Sequence, residues 1–125
     1  MKTIIDTDNA PAPIGPYSQS VKAGNFLFVS GQVAIDPSTG ELVLDDIKTE
    51  TKQVMENIKA ILTEAGVNFS NIVKTSIFLK DMQNFGQVNE VYATYFTAQF
   101  PARETVQVSG LPKNVNVEIT VTALI

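Results

Sequence analysis

The run Asp46 to Gly66, DIKTETKQVMENIKAILTEAG, decides the architecture, because Ile47, Thr51, Val54, Met55, Ile58, Ile61, Leu62 and Ala65 recur within it every three or four residues. A 3.6-residue period gathers them on one stripe of an α-helix, and that stripe must be buried against something. Asp46 supplies the short side-chain acceptor preferred ahead of a first helical turn. Gly66 is the residue that most readily turns left-handed after the last one. On either side the period changes. Tyr17 to Lys22 and Phe26 to Ser30 read as strands joined across Ala23-Gly24-Asn25, the second apolar enough to be buried on both faces. Ile72 to Leu79 is another strand, and Asp81 opens a second helical stretch with Phe85, Val88, Tyr92, Tyr95 and Phe96 inward, ended by Pro101. Glu104 to Val108 and Val115 to Ile125 are strands flanking a Ser109-Gly110-Leu111-Pro112 loop. The last alternates Val117, Ile119, Val121, Ala123 and Ile125 against Glu118, Thr120 and Thr122. The order ββ, α, β, α, ββ specifies an α+β layer, a mixed or antiparallel sheet with helices on one face. Asn9 to Pro16, with three prolines and a glycine, is expected to be irregular, with regular structure starting after it. Apolar residues on the second sheet face call for a partner, so oligomerisation is expected.

The 125 residues form a single domain, 1–125, with 44% hydrophobic and 18% charged residues and no linker, repeat or low-complexity tract. A net charge of −4 with scattered lysines leaves no basic stripe for nucleic acid. No run approaches the ~20 apolar residues that span a bilayer, and the amino terminus lacks a signal-like apolar core, so a cytoplasmic protein without membrane contact is expected. There is no cysteine and no histidine, which removes disulfides, thiolate nucleophiles, Ser-His-Asp devices and Cys/His zinc sites. Carboxylate-held magnesium or calcium survives the count, but no acidic run or glycine-anchored loop suggests a cage, and no metal is expected.

Arg103 is the sole arginine, beside eight lysines. Its guanidinium is a rigid fork that matches a carboxylate at two points, where a lysine offers a point charge. It is therefore the first candidate for recognising a small organic acid; the alternative is a salt bridge to one of 13 acidic residues. Strand alternation puts Arg103, Thr105 and Gln107 on one side, with Val106 and Val108 on the other. If the apolar rows of the last two strands coincide, Glu118 and Arg103 share a face. In the simplest pairing Glu118 then lies opposite Gln107, about 13 Å along the strand from Arg103. Room for a small molecule would remain between them. Otherwise Glu118 is a solvated strand residue or an ion-pair partner. Asn89, on the apolar face of the second helix, needs a hydrogen-bond partner, either a loop carbonyl or a site neighbour. Tyr17, where the proline-rich entry meets the first strand, can place a phenol at a cleft rim or simply pack. Ser30-Gly31-Gln32 ends a strand with a small hydroxyl and a glycine, open to close approach by a ligand or to a bulge. Hydrolysis of a stable amide or ester is poorly served by this set. An already electrophilic substrate needs only orientation, charge neutralisation and one carboxylate to guide water.

Across nearly its whole length the chain resembles the reactive-intermediate deaminases, the Rid or YjgF family. The resemblance runs through Asn9-Ala10-Pro11-Ala12-Pro13-Ile14-Gly15-Pro16-Tyr17, Ser30-Gly31-Gln32, Ile72-Val73-Lys74-Thr75, Val88-Asn89, Pro101-Ala102-Arg103, Leu111-Pro112-Lys113 and Val117-Glu118-Ile119. It implies a chorismate-mutase-like α+β fold, a six-stranded mixed sheet with two helices packed on one face, in a homotrimer with ligand clefts between subunits. It further implies a damage-control enzyme that hydrolyses 2-imino acids such as 2-iminobutanoate and 2-iminopropanoate, or their enamines, to 2-keto acids and ammonia, without a cofactor. Carried over by residue, Arg103 grips the carboxylate, Glu118 polarises water, and Tyr17, Ser30 and Asn89 shape the cleft with backbone help at Gly31 and Thr105. The departure is Glu104-Thr105, where many members carry a small residue and then cysteine. Altered range or rate is the expected consequence, provided Glu104 points away from Arg103. Two rival readings stand beside the enzyme: a non-catalytic 2-keto-acid-binding module of the same fold, and RNA cleavage, which fits poorly with acidic charge, no histidine and one arginine.

Overall fold

Helix α1 (Ile47–Glu64) begins where the Asp46 side chain accepts a hydrogen bond from the Thr49 amide at 2.8 Å, and the chain leaves it through Gly66 at φ +79°. In the computed structural model, which describes residues 1–125, it packs on a sheet of six strands: β1 (Lys2–Ile5), β2 (Ser20–Ala23), β3 (Phe26–Gln32), β4 (Ile72–Leu79), β5 (Ala102–Gln107) and β6 (Val117–Leu124). A second helix, α2 (Phe85–Ala93), lies between β4 and β5 in the chain. The strand order is β1-β2-β3-β6-β4-β5, antiparallel throughout except for the parallel pair β4 and β5, which α2 connects. This is a mixed six-stranded α+β sheet with both helices on one face. No helix is long and apolar enough to cross a membrane.

The core lies between that face and the helices. Val54, Met55, Ile58, Ile61 and Leu62 of α1 meet Leu27, Val29, Ile77, Leu79, Val117, Ile119, Val121 and Ala123. The helical stripe and the alternating row of β6 are thus buried as their periods require.

Four expectations change. Regular structure starts before the proline-rich segment, since Lys2–Ile5 pairs antiparallel with β2. The first expected strand, Tyr17 to Lys22, is shifted to Ser20–Ala23, because Gln19 is used to hold the preceding loop. Asp81 caps a short 3₁₀ turn, Met82–Asn84, and α2 ends at Ala93, well before Pro101; Tyr95 and Phe96 pack on the core from beyond the helix. Finally, β3 is buried on one side only: Leu27 and Val29 are sealed, while Phe26 and Phe28 are 43% and 48% exposed. With Val106 and Leu124 they leave an apolar, uncovered second face.

Glu50 joins the helix layer to the start of β6. Although fully buried, it accepts hydrogen bonds from the Asn116 amide and carboxamide, each at 2.8 Å, and from the Val117 amide at 3.2 Å. These donors immediately precede Glu118. Glu50→Ala removes their acceptor in a dry site, so a loss of ~3 kcal/mol is expected, read as a lower urea midpoint.

Candidate functional site

The expected site residues gather in two places on opposite faces of the sheet. In the β3–β6 pairing, Val29 faces Val121 and Gln32 faces Ile119, so β3 carries one extra residue and Ser30-Gly31 form a bulge. Across that bulge stands Glu118. A Cβ at position 31 would lie 2.5 Å from Glu118 Oε2 and 2.8 Å from its Cδ, so only glycine leaves room for the carboxylate. Ile14, Tyr17, Val33 and Pro112 complete a cleft of about 360 Å³ around Ser30, Gly31 and Glu118. A larger hollow of about 900 Å³ lies by the amino-terminal loop and contains none of the candidate residues; its acidic groups, Asp6, Asp8 and Glu64, form no metal-binding cluster.

Hydrogen bonds decide what each group in the cleft has left to offer. Buried Gln19 donates to the carbonyls of Thr7, Ala10 and Pro11 and accepts from the Thr7 amide, fixing the loop that carries Tyr17. Tyr17 Oη accepts from the Ile14 amide at 3.2 Å, which leaves its own proton for a ligand. Ser30 donates to the Ser18 carbonyl at 2.6 Å, so towards a ligand it acts as an acceptor. Within the single chain, burial pushes the Glu118 carboxyl above the ordinary glutamate range, and no cation or donor of the same chain acts against it. Such a carboxyl is suited to giving and taking protons nearer neutrality. Gly31→Ala is expected to fold, because the clash falls on the far end of a flexible side chain, yet to displace Glu118. Any activity that uses Glu118 should fall at least tenfold by the positional sensitivity of catalytic groups, roughly, with an unchanged melting curve.

Arg103 occupies the other face. β5 runs parallel to β4 with Arg103 in register with Thr75, and β6 runs antiparallel to β4 with Glu118 in register with Phe78. Thr75 points to the helices and Phe78 to the open side, so Arg103 and Glu118 of one chain point apart. The expectation that they share a face, with Glu118 opposite Gln107, is overturned because β4 intervenes between β5 and β6. Salt-bridging is overturned as well: the ion pairs are Lys48–Glu90 and Lys74–Glu104, neither involving Arg103. Instead the guanidinium carbon sits 5.1 Å from the Tyr92 ring centroid and 5.7 Å from that of Phe85. Asn89 lies between these two on the same helical stripe; it is partly exposed, not buried, so it needs no internal partner.

Thr105, two residues along the same face of β5, has a buried hydroxyl with no hydrogen-bond partner. That hydroxyl has no surface to offer a ligand, which leaves backbone contact. Thr105→Val is therefore expected to raise stability by about 1 kcal/mol, seen as a higher melting temperature. Glu104 turns to the open face, where Lys74 and Ser76 hold its carboxyl below the usual range. The unusual Glu104 thus adds no negative charge beside Arg103. Residue type identified Arg103 and Glu118, but Tyr92 and Phe85 were read only as core; the aromatic seat has no signal in a local pattern.

The family model described as Endoribonuclease L-PSP matches residues 7–125. A RutC family protein of Pyrococcus horikoshii is 59% identical over 119 residues, covering 95% of this chain and 94% of that one. The mouse protein named 2-iminobutanoate/2-iminopropanoate deaminase is 47% identical over 124 residues, covering 99% and 92%. The crystal structure of a Yersinia pestis protein of the conserved Rid family, YyfA, superposes with a TM-score of 0.97 at 50% identity over the full length of both chains.

Proposed function

The chain belongs to the Rid family, described also as Endoribonuclease L-PSP, and on that premise we propose that it hydrolyses 2-imino acids to 2-keto acids and ammonia. The observation that carries the reading is an arginine with no acidic partner, held against two rings with its donors free. The mouse relative named for the same reaction, similar over 99% of this chain, supports it.

Arg103 binds the substrate carboxylate at two points. Glu118 takes a proton from water as the oxygen adds to the imine carbon and passes it to the imine nitrogen, giving a carbinolamine. On collapse Glu118 takes the carbinolamine hydroxyl proton and delivers it to the departing nitrogen, so that the keto C=O forms, C–N breaks and ammonia leaves. Imine plus water becomes keto acid plus ammonia, so the equation closes without redox or cofactor chemistry. Tyr17 donates and Ser30 accepts at the rim, with Asn89 beside the carboxylate.

Because Arg103 and Glu118 point apart within one chain, the site is formed where the Arg103 face of one copy meets the Glu118 cleft of another. The uncovered apolar face with Phe26, Phe28, Val106 and Leu124 supports such contact. A homotrimer is the assembly we expect, with three equivalent clefts, and light scattering at the monomer mass would refute it. Turnover is tested by generating 2-iminobutanoate with a threonine dehydratase and trapping it with semicarbazide. Faster loss of the imine supports the enzyme. Binding of 2-ketobutyrate without acceleration would instead indicate a carboxylate-binding module. RNA cleavage, suggested by the family description, finds no basic surface on a chain of net charge −4 without histidine; salt-dependent RNA binding is expected to be absent.

A further inference from the structure

A two-point clamp works only if the planar head of the arginine faces one way before the anion arrives. No ion pair holds Arg103; its orientation rests on the rings of Tyr92 and Phe85. A ring face attracts the cation through its quadrupole and presents no acceptor oxygen, so the N–H donors stay free. Tyr92 is the fixed member of the pair. It is buried, and its hydroxyl donates to Thr75 Oγ1 at 3.0 Å. Thr75 is itself fully buried and is the β4 residue in register with Arg103. Phe96 backs Tyr92 at 4.8 Å between ring centroids and is braced in turn by Phe69 and Phe100. Phe85, 38% exposed, closes the outer side. Sheet register, helix stripe and aromatic cluster therefore converge on one guanidinium.

We propose that Tyr92, locked to Thr75 and assisted by Phe85, is a positioning residue that pre-orients Arg103 for a carboxylate. Only the identity of that carboxylate rests on the imine-hydrolysis reading. With one arginine in the chain, the full-length protein has a single arginine Nε–Hε resonance, which reports the clamp without any need for turnover. In the wild type the Arg103 side-chain signals lie upfield of exposed arginine values through ring currents. Tyr92→Leu returns them towards those values and weakens 2-ketobutyrate binding roughly threefold to thirtyfold. Tyr92→Phe keeps the ring and restores most of the shift and affinity, which loss of a merely structural hydroxyl would not predict. In turnover, Tyr92→Leu raises KM with kcat little changed.

Should Tyr92→Leu fail to fold, Phe85→Leu at its partly exposed position gives the same direction of change. Arg103 signals unmoved by the substitutions, or moved with 2-ketobutyrate affinity intact, overturn the proposal. If signals and affinity change together while the wild type fails to accelerate imine loss, the aromatic clamp stands and the deaminase reading falls.

Discussion

Arg103→Ala is expected to lower kcat/KM for 2-iminobutanoate by about two to three powers of ten, the range for truncating one partner of a desolvated charge pair. The folding midpoint should barely move. These two expectations belong together. An arginine engaged in an internal salt bridge would leave an orphaned carboxylate behind when removed, but Arg103 has no such partner. Its loss costs only contacts with Tyr92 and Phe85. Arg103→Lys should recover little, because an ammonium on a flexible stem cannot make the parallel two-point contact. Semicarbazide competition gives the rate and a thermal melt gives the stability. A variant that stays within a few-fold of wild type would remove the clamp from the account.

Glu118→Gln should reduce turnover by about a hundredfold or more, the usual contribution of a general acid–base, while making the folded chain more stable at neutral pH. The sign follows from linkage. Burial in its own chain raises the folded-state value of this carboxyl above its ordinary one, so between those two values the native chain binds more protons than the unfolded one. Stability therefore falls as pH rises through that window, and at neutral pH the ionised carboxylate is held at a cost. Glutamine keeps the shape and removes the charge, so its melting temperature should exceed that of wild type, and the difference should shrink as pH is lowered through the window. The wild-type rate should decline on acidification at an apparent value above that of an ordinary glutamate. A glutamine variant that is both inactive and less stable would point to a structural carboxylate.

The layer architecture was legible because its longest elements have strong periods: the eight apolar or small residues from Ile47 to Ala65 and the alternating row of β6 could belong to nothing else. Strand β1 was not, since Lys2–Ile5 is a four-residue edge strand set off by the proline-rich loop, and its pairing with β2 is encoded at a distance. α2 is short, and aromatic residues beyond its end continue to pack, so the apolar spacing outran the helix. The site shows the same division. Residue type singled out Arg103 and Glu118, and alternation placed each correctly relative to its own strand neighbours. Which strand lies beside which is not a local property. The simplest pairing set the strands flanking the Ser109-to-Pro112 loop beside each other, whereas β5 and β6 both pair with β4. That single insertion puts Arg103 and Glu118 on opposite faces of one sheet, which is why the reaction proposed above calls on a second copy.

The most direct test mixes subunits of two inactive variants, Arg103→Ala and Glu118→Ala, by unfolding and refolding them together. If each site takes its arginine from one chain and its glutamate from a neighbour, random assembly at equal amounts rebuilds an intact pair at about a quarter of the sites, one half times one half. Imine hydrolysis at about that fraction of the wild-type rate is the expected result. Mixtures as inactive as either variant alone, in assemblies shown to contain both chains, would contradict it.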